Sequence, residues 1–329
     1  MIIKYYLFIL IFIIIIFFII NILSKKYKKT MNLLGRLHID KELLSRERSM
    51  YENSNNKLNK YYKNNKLLEK LCEDNKYCCI YAYYEKDDLY KTNFIYFLKN
   101  GILENVDYYI VINGKCTIDI PQKENIIIYK RENKGYDFGA FSFLIKKLTK
   151  KYDYYFFLNT SVCGPYLKDN KKWIYYFLDL FNKDVKIVGT SINIYRYNSF
   201  GGYDLTKIFN KKKPFTHIQS MFFCIDKEYF NYLNKINFFN EDELNNSPNF
   251  KYIIAYKEIG LSQHAIINNW NINSILSKYK DIDYRLVDTD FNNTSKNGDP
   301  YYKKSYFGND IDKYEVIFYK NNRYKLIDK

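Results

Sequence analysis

The chain has 329 residues, with 52 Lys and Arg against 36 Asp and Glu, a formal net charge of +16. At 47% hydrophobic and 19% aromatic residues it carries enough apolar material for a sizeable core, which excludes globally disordered, collagen-like and disulfide-stapled mini-protein classes. The length suits one large domain or two small ones.

Residues 5–23, YYLFILIFIIIIFFIINIL, carry no charge and one strongly polar side chain, Asn21. At about 1.5 Å per residue such a run spans roughly 28 Å, close to a bilayer core. The expectation is an N-terminal single transmembrane helix within residues 1–24. A cleaved signal peptide competes with this, but Ser24 is followed by Lys25, Lys26, Lys28 and Lys29 instead of a small-residue cleavage site, which favours an uncleaved anchor in the membrane. Those lysines lean towards a cytoplasmic C-terminal body, whereas lumenal bodies are usual for anchored enzymes of the secretory pathway, so the side stays open.

Residues 25–70 hold 13 Lys and Arg against 5 Asp and Glu and read as a basic stalk. It suits either simple solvation or contact with anionic membrane lipid. A sequence pI near 9.2 with many aromatics is also a nucleic-acid footprint. Zinc-finger spacing, an RNP-like strand and a helix-turn-helix signature are all missing, so nucleic acid is not an expected partner. The cysteines, Cys72, Cys78, Cys79, Cys116, Cys163 and Cys224, form no C-x-x-C pair, and His38, His217 and His264 are scattered. Buried free thiols are the ordinary reading of such a pattern, and no zinc site is expected.

From Lys76 onwards short apolar runs alternate with longer periodic ones. Strands are expected over 77–84, 106–113, 125–129, 154–158, 185–188 and 221–225, and helices over 89–99, 138–150, 171–181, 227–235 and 256–269. The pattern predicts an α/β, Rossmann-type domain over 71–329. Ligands of such sheets lie beyond the carboxyl ends of the strands, which directs attention to the loops after Tyr84, Tyr129 and Leu158.

The segment ENKGYDFGAF, 132–141, sets Gly135 and Gly139 around Asp137 at a helix entry. Glycines there let a backbone approach a ligand, free N–H groups suit a phosphate, and the carboxylate can bond a ribose or sugar hydroxyl. Asp137 capping the helix beside two turn glycines explains the same residues without a ligand. The segment FLNTSVCGPYL, 157–167, presents Asn159, Thr160 and Ser161 at the end of a buried strand, as a site or as a capped turn.

Together with HIQSMFFCIDKEYF (217–230), YKEIGLSQHAI (256–266) and DKYEVIFYKNNR (312–323), these segments resemble the rhamnan-synthesis F-type glycosyltransferases. The match runs through Asn133, Gly135, Asp137, Gly139 and Ala140, then Tyr152 to Pro165, then His217, Gln219 and Ser220, then Glu258, with Lys313 in place of an expected proline. The resemblance implies a GT-A-like nucleotide-sugar-binding domain that moves a sugar from a nucleotide sugar to a glycan or glycoconjugate acceptor. It further implies that Asn133, Gly135, Asp137, Gly139, Asn159, Ser161, His217, Gln219 and Ser220 lie near the donor. Where many such enzymes carry Asp-x-Asp, this chain has Asn159, Thr160 and Ser161, which puts a divalent Mg or Mn ion in doubt, although Asp137 or a later carboxylate could still hold one. Glu258 is the first candidate base and Asp137 the second catalytic candidate, with a solvent-facing helix carboxylate as the competing reading of Glu258. His217, or basic groups such as Lys130 and Arg131, are candidates for the diphosphate charge, with a solvated charge as the competing reading. A catalytically inactive relative acting as an adaptor, and a basic membrane- or nucleic-acid-binding protein, are the competing functions.

Overall fold

The computed structural model describes residues 75–246 and 249–322. The expected anchor and basic stalk lie outside the described residues, among which no helix is long and apolar enough to cross a membrane.

Eleven strands are formed by the described residues. In chain order they are β1 (Tyr77–Tyr83), β2 (Val106–Asn113), β3 (Ile126–Arg131), β4 (Tyr154–Asn159), β5 (Val185–Gly189), β6 (Ile192–Tyr195), β7 (Ser199–Phe200), β8 (Tyr203–Asp204), β9 (Phe215–Ile218), β10 (Phe222–Asp226) and β11 (Asn271–Ser274). Seven build one sheet in the order β11-β5-β10-β4-β1-β2-β3. Its members run parallel except β10, which pairs antiparallel with both β4 and β5. β6 and β9 form a separate antiparallel pair.

β1 reads YCCIYAY and is buried at every position, as expected of a strand covered on both faces. On one face Phe157 and Phe223 stack at 4.6 Å and meet Phe141 of the Tyr136–Ile145 helix, at 5.1 Å from Phe157. On the other, Phe222 stacks on Phe318 at 4.4 Å and packs with Trp173 and Phe177 of the Trp173–Leu178 helix. The Asp88–Asn100 helix is capped by the Asp87 carboxylate, which accepts from the Tyr90 N–H, and buries Phe94 and Phe97 against Tyr81.

Two expected helices are shorter in the structure. The helix expected over 138–150 is Tyr136–Ile145, because its buried face ends at Leu144 and the Lys146, Lys147 and Leu148 N–H groups close turns onto Ser142, Leu144 and Ile145. The one expected over 171–181 is Trp173–Leu178, whose buried side is complete with Trp173, Ile174, Phe177 and Leu178. The one expected over 256–269 begins earlier: α-turns at Phe250–Tyr252 lead into a π-helical stretch, Ile253–Glu258, and then the α-helix Ile259–Ile267.

Candidate functional site

The chain runs β1, β2, β3 to one side of β1 and then returns to β4 on the other, so the strand order reverses between β1 and β4. At such a reversal the connections diverge and leave a crevice beyond the carboxyl ends. The cleft found there measures about 680 Å3 and is lined by Tyr84 after β1, Asn113 at the end of β2, Asn159 at the end of β4, and Thr160 and Ser161 just after it. Asn193 and Tyr195 of β6, His217 of β9, Gln219 and Ser220 of the following turn, and Glu258 also line it.

Asp137 is the second residue of the Tyr136–Ile145 helix, while Gly135 occupies the N-cap with no side-chain bond, so the capping reading of Asp137 is replaced. Its Oδ2 accepts from the Asn159 amide at 2.8 Å and its Oδ1 from the Phe138 N–H at 3.0 Å. Asn159 Oδ1 in turn accepts from the Ser161 N–H and hydroxyl at 3.0 and 2.6 Å. Burial pushes the Asp137 carboxyl up to about 6; the Glu258 charge adds to this, and the bonds from Asn159 and Phe138 oppose it. Tyr136 beside it has φ of 56°, an unusual conformation for a bulky residue, and packs at 5.1 Å on Phe250 at the cleft rim.

Glu258 is the last residue of the π-helical stretch, a feature that often marks functional positions. Its Oε1 accepts from the Ser220 N–H at 3.0 Å, and its side chain is part-buried against the cleft, in place of the solvent-facing carboxylate that a helix position alone allows. The neighbouring Lys257 turns away into the protein, donating to the Phe238 carbonyl at 2.9 Å and pairing with Glu243 at 2.8 Å. Gln219 Oε1 accepts from the Ser191 hydroxyl at 2.6 Å. His217 is buried, and its Nδ1 lies 2.8 Å from the Phe215 carbonyl. Burial lowers the imidazole pKa below its usual value, against opposing pulls from Glu258, the Phe215 carbonyl and Asp299.

Asn133, Asp137, Asn159, Ser161, His217, Gln219, Ser220 and Glu258 therefore line one cleft, whereas Gly135 and Gly139 do not. The glycines answer to packing. A Cβ on Gly135, whose φ is +68°, would stand 2.5 Å from the Leu244 carbonyl oxygen, and one on Gly139 would stand 2.2 Å from that of Lys134. Arg131 is not in the cleft wall either. Its guanidinium donates to Asn113 Oδ1 at 2.9 Å, the Lys134 carbonyl at 2.8 Å and Asn245 Oδ1 at 2.6 Å, tying the end of β2 to the loop that leads into the Asp137 helix. Lys130 lies on the exposed side of β3, outside the cleft lining. The cleft cations are Lys296 and Lys320.

Sequence reasoning pointed to the loop after Tyr84 but missed Tyr90, Asn113, Asn193, Lys296, Asp299 and Lys320. The polar residue closing β2 was a readable signal for Asn113. Lys320 arrives because the tail lies over the 159–165 loop, with the Cys163 and Tyr319 backbones bonded to each other and the Tyr166 N–H donating to Ile317.

Among the described residues no three carboxylate, imidazole or thiol groups come together to hold a metal ion, and both Asp137 oxygens already accept hydrogen bonds. Each of those oxygens keeps a second lone pair, so Asp137 retains the capacity to ligate a divalent ion. The thiols of Cys78, Cys79, Cys116, Cys163 and Cys224 are free.

No family model matches the chain, and no curated protein matches it. Solved structures similar to part of it include the apo-form glycosyltransferase GlyE of Streptococcus pneumoniae TIGR4, at 10% identity and a TM-score of 0.33, covering 60% of this chain and 44% of that one. A second is the mannosyltransferase PcManGT from Pyrobaculum calidifontis in complex with GDP-Man and Mn2+, at 6% identity and a TM-score of 0.38, covering 62% and 55%. A third is a glycosyltransferase involved in glycosylation of the major capsid of PBCV-1, at 12% identity and a TM-score of 0.30, covering 55% and 75%. The chain spans about half the length of the first two.

Proposed function

We propose that the cleft binds a nucleotide sugar and that the protein is a glycosyltransferase of the rhamnan-synthesis F type, transferring the sugar to a glycan or glycoconjugate acceptor while residues 5–23 anchor it in a membrane. The observation that carries this reading is the convergence, in one cleft at the strand-order reversal, of the Asp137–Asn159 pair with Glu258 and His217. The five sequence segments of the family pattern supply the second support.

Each part of a nucleotide sugar has a matching group. The rings of Tyr84 and Tyr90 offer faces to a base, and the Asn113 amide, whose oxygen is held by Arg131, keeps its N–H groups for a base carbonyl or ribose oxygen. Asp137 accepts from sugar or ribose hydroxyls. Lys296 and Lys320 offset the diphosphate charge, including the negative charge that grows on the leaving group. An inactive relative serving as an adaptor is the second reading, favoured by the absence of Asp-x-Asp at 159–161; it predicts donor binding without turnover.

The test is thermal shift of the detergent-solubilised full chain against a panel of nucleotide sugars, followed by donor turnover. A bound donor at about 100 times its Kd adds roughly 2.7 kcal/mol to stability. If no nucleotide sugar raises the melting temperature at millimolar concentration, the reading is wrong.

A further inference from the structure

The geometry points to His217 Nε2 as the atom that takes the proton from the acceptor hydroxyl during transfer, in place of Glu258. This deepens the reading of the cleft as a glycosyltransferase site and rests on it.

The Phe215 carbonyl oxygen, 2.8 Å from Nδ1, can only accept a hydrogen bond, so Nδ1 carries the ring proton in that contact. Nε2 is then left with a lone pair, and the side-chain hydrogen bond that His217 makes among the described residues is the one through Nδ1. His217 is held in β9, directly opposite Asn193 of β6, and both line the cleft. The Oδ1 atom of Asn193 is buried and has no partner among the described residues. The charged groups acting on the imidazole are the Glu258 and Asp299 carboxylates, and Lys296 lines the same cleft. This wall is therefore rich in acceptors, which suits a neutral, hydroxyl-bearing sugar better than an anionic one.

Glu258 fills a different position. One of its oxygens is already committed to the Ser220 N–H at 3.0 Å, which fixes the turn after β9. Its carboxylate stands near enough to favour a positive imidazolium, as does that of Asp299. Burial keeps the resting imidazole neutral, the form a base requires.

The acceptor oxygen forms a bond to the anomeric carbon, the bond from that carbon to the diphosphate oxygen breaks with its electron pair left on the diphosphate, and the hydroxyl proton moves to Nε2. The imidazolium returns the proton to solvent. A base on the acceptor side implies inversion at the anomeric carbon.

The experiment uses the full chain in detergent with the donor found by the thermal-shift panel. Three quantities are measured: donor Kd, the single-turnover rate with acceptor sugar or water, and the anomer formed. In His217→Gln, which keeps a side chain of similar length, donor Kd stays within about threefold while the rate falls by roughly 100- to 10,000-fold. In His217→Ala, added imidazole restores part of the rate, which a structural role would not produce. Glu258→Gln, which retains an acceptor for Ser220, loses less rate than His217→Gln.

Retained turnover in His217→Gln, a larger loss in Glu258→Gln, or a product of retained configuration overturns the assignment of the base and leaves the donor site standing. Failure of the wild-type chain to bind any nucleotide sugar overturns the glycosyltransferase reading itself. Independently of turnover, 15N shifts reporting the Nε2–H tautomer of His217 at pH 7 would overturn the base.

Discussion

Replacing Asp137 by Asn removes one charge from the cleft while keeping the side chain's size and an oxygen to accept from the Asn159 amide. In the unfolded chain an aspartate loses its proton near 3.8, whereas burial holds the folded group to about 6. Between those values the native state binds a proton that the unfolded state has released, so rising pH removes stability across that window. Two pH units at about 1.4 kcal/mol each set a ceiling of about 3 kcal/mol at pH 7. Asp137 retains partial exposure to the cleft, and screening there brings the expected cost of the charge to about 1–2 kcal/mol. Asp137→Asn therefore raises the melting temperature at pH 7, by roughly 2–6 °C for a unit of this size, and the gain vanishes by about pH 4. The assay is thermal denaturation of both proteins from pH 4 to pH 8, paired with donor turnover at pH 7, which falls in the variant because the carboxylate is lost. A variant less stable at pH 7, or a stability difference that does not change with pH, would refute the account of Asp137 as a charge held at a cost for function.

Gly139→Ala places a Cβ 2.2 Å from the Lys134 carbonyl and costs about 1–3 kcal/mol despite the better helix propensity of alanine; urea melts showing unchanged stability would contradict the packing argument. Arg131→Lys cannot bridge Asn113, Lys134 and Asn245 with one ammonium group, so about 2–3 kcal/mol is lost and donor affinity drops with it, measured by the same melts and by titration. Phe157→Ala empties a fully buried position among Phe141, Phe223 and Phe239 and costs about 3–5 kcal/mol, whereas a loss under 1 kcal/mol would mean that this ring is not central to the core.

The strands and helices whose identity depends on near neighbours are legible in the amino-acid pattern alone. β2 (Val106–Asn113) and the Lys227–Lys235 helix stand where the apolar pattern puts them, because a mainly apolar, β-branched and aromatic run or a 3.6-residue period carries its own secondary structure. The sequence also marked Asp137, Asn159, His217 and Glu258, through short segments whose residue types suit a polar cleft. Tertiary structure decided what those residues do to one another. The Asn159 amide reaches Asp137 across 22 residues, Ser220 reaches Glu258 across 38, and Arg131 reaches Asn245 across 114. It also reassigned the glycines, since the carbonyls of Leu244 and Lys134 that forbid a side chain at Gly135 and Gly139 are set by how the loop folds and packs, not by the glycine spacing. The short β6 and β9 strands were likewise invisible, because four residues bury too little surface to fix a strand until a distant partner completes the ladder. That ladder holds His217 opposite Asn193 in the cleft wall, and the bond from its Nδ1 to the Phe215 carbonyl, which fixes its tautomer, exists only in the folded chain.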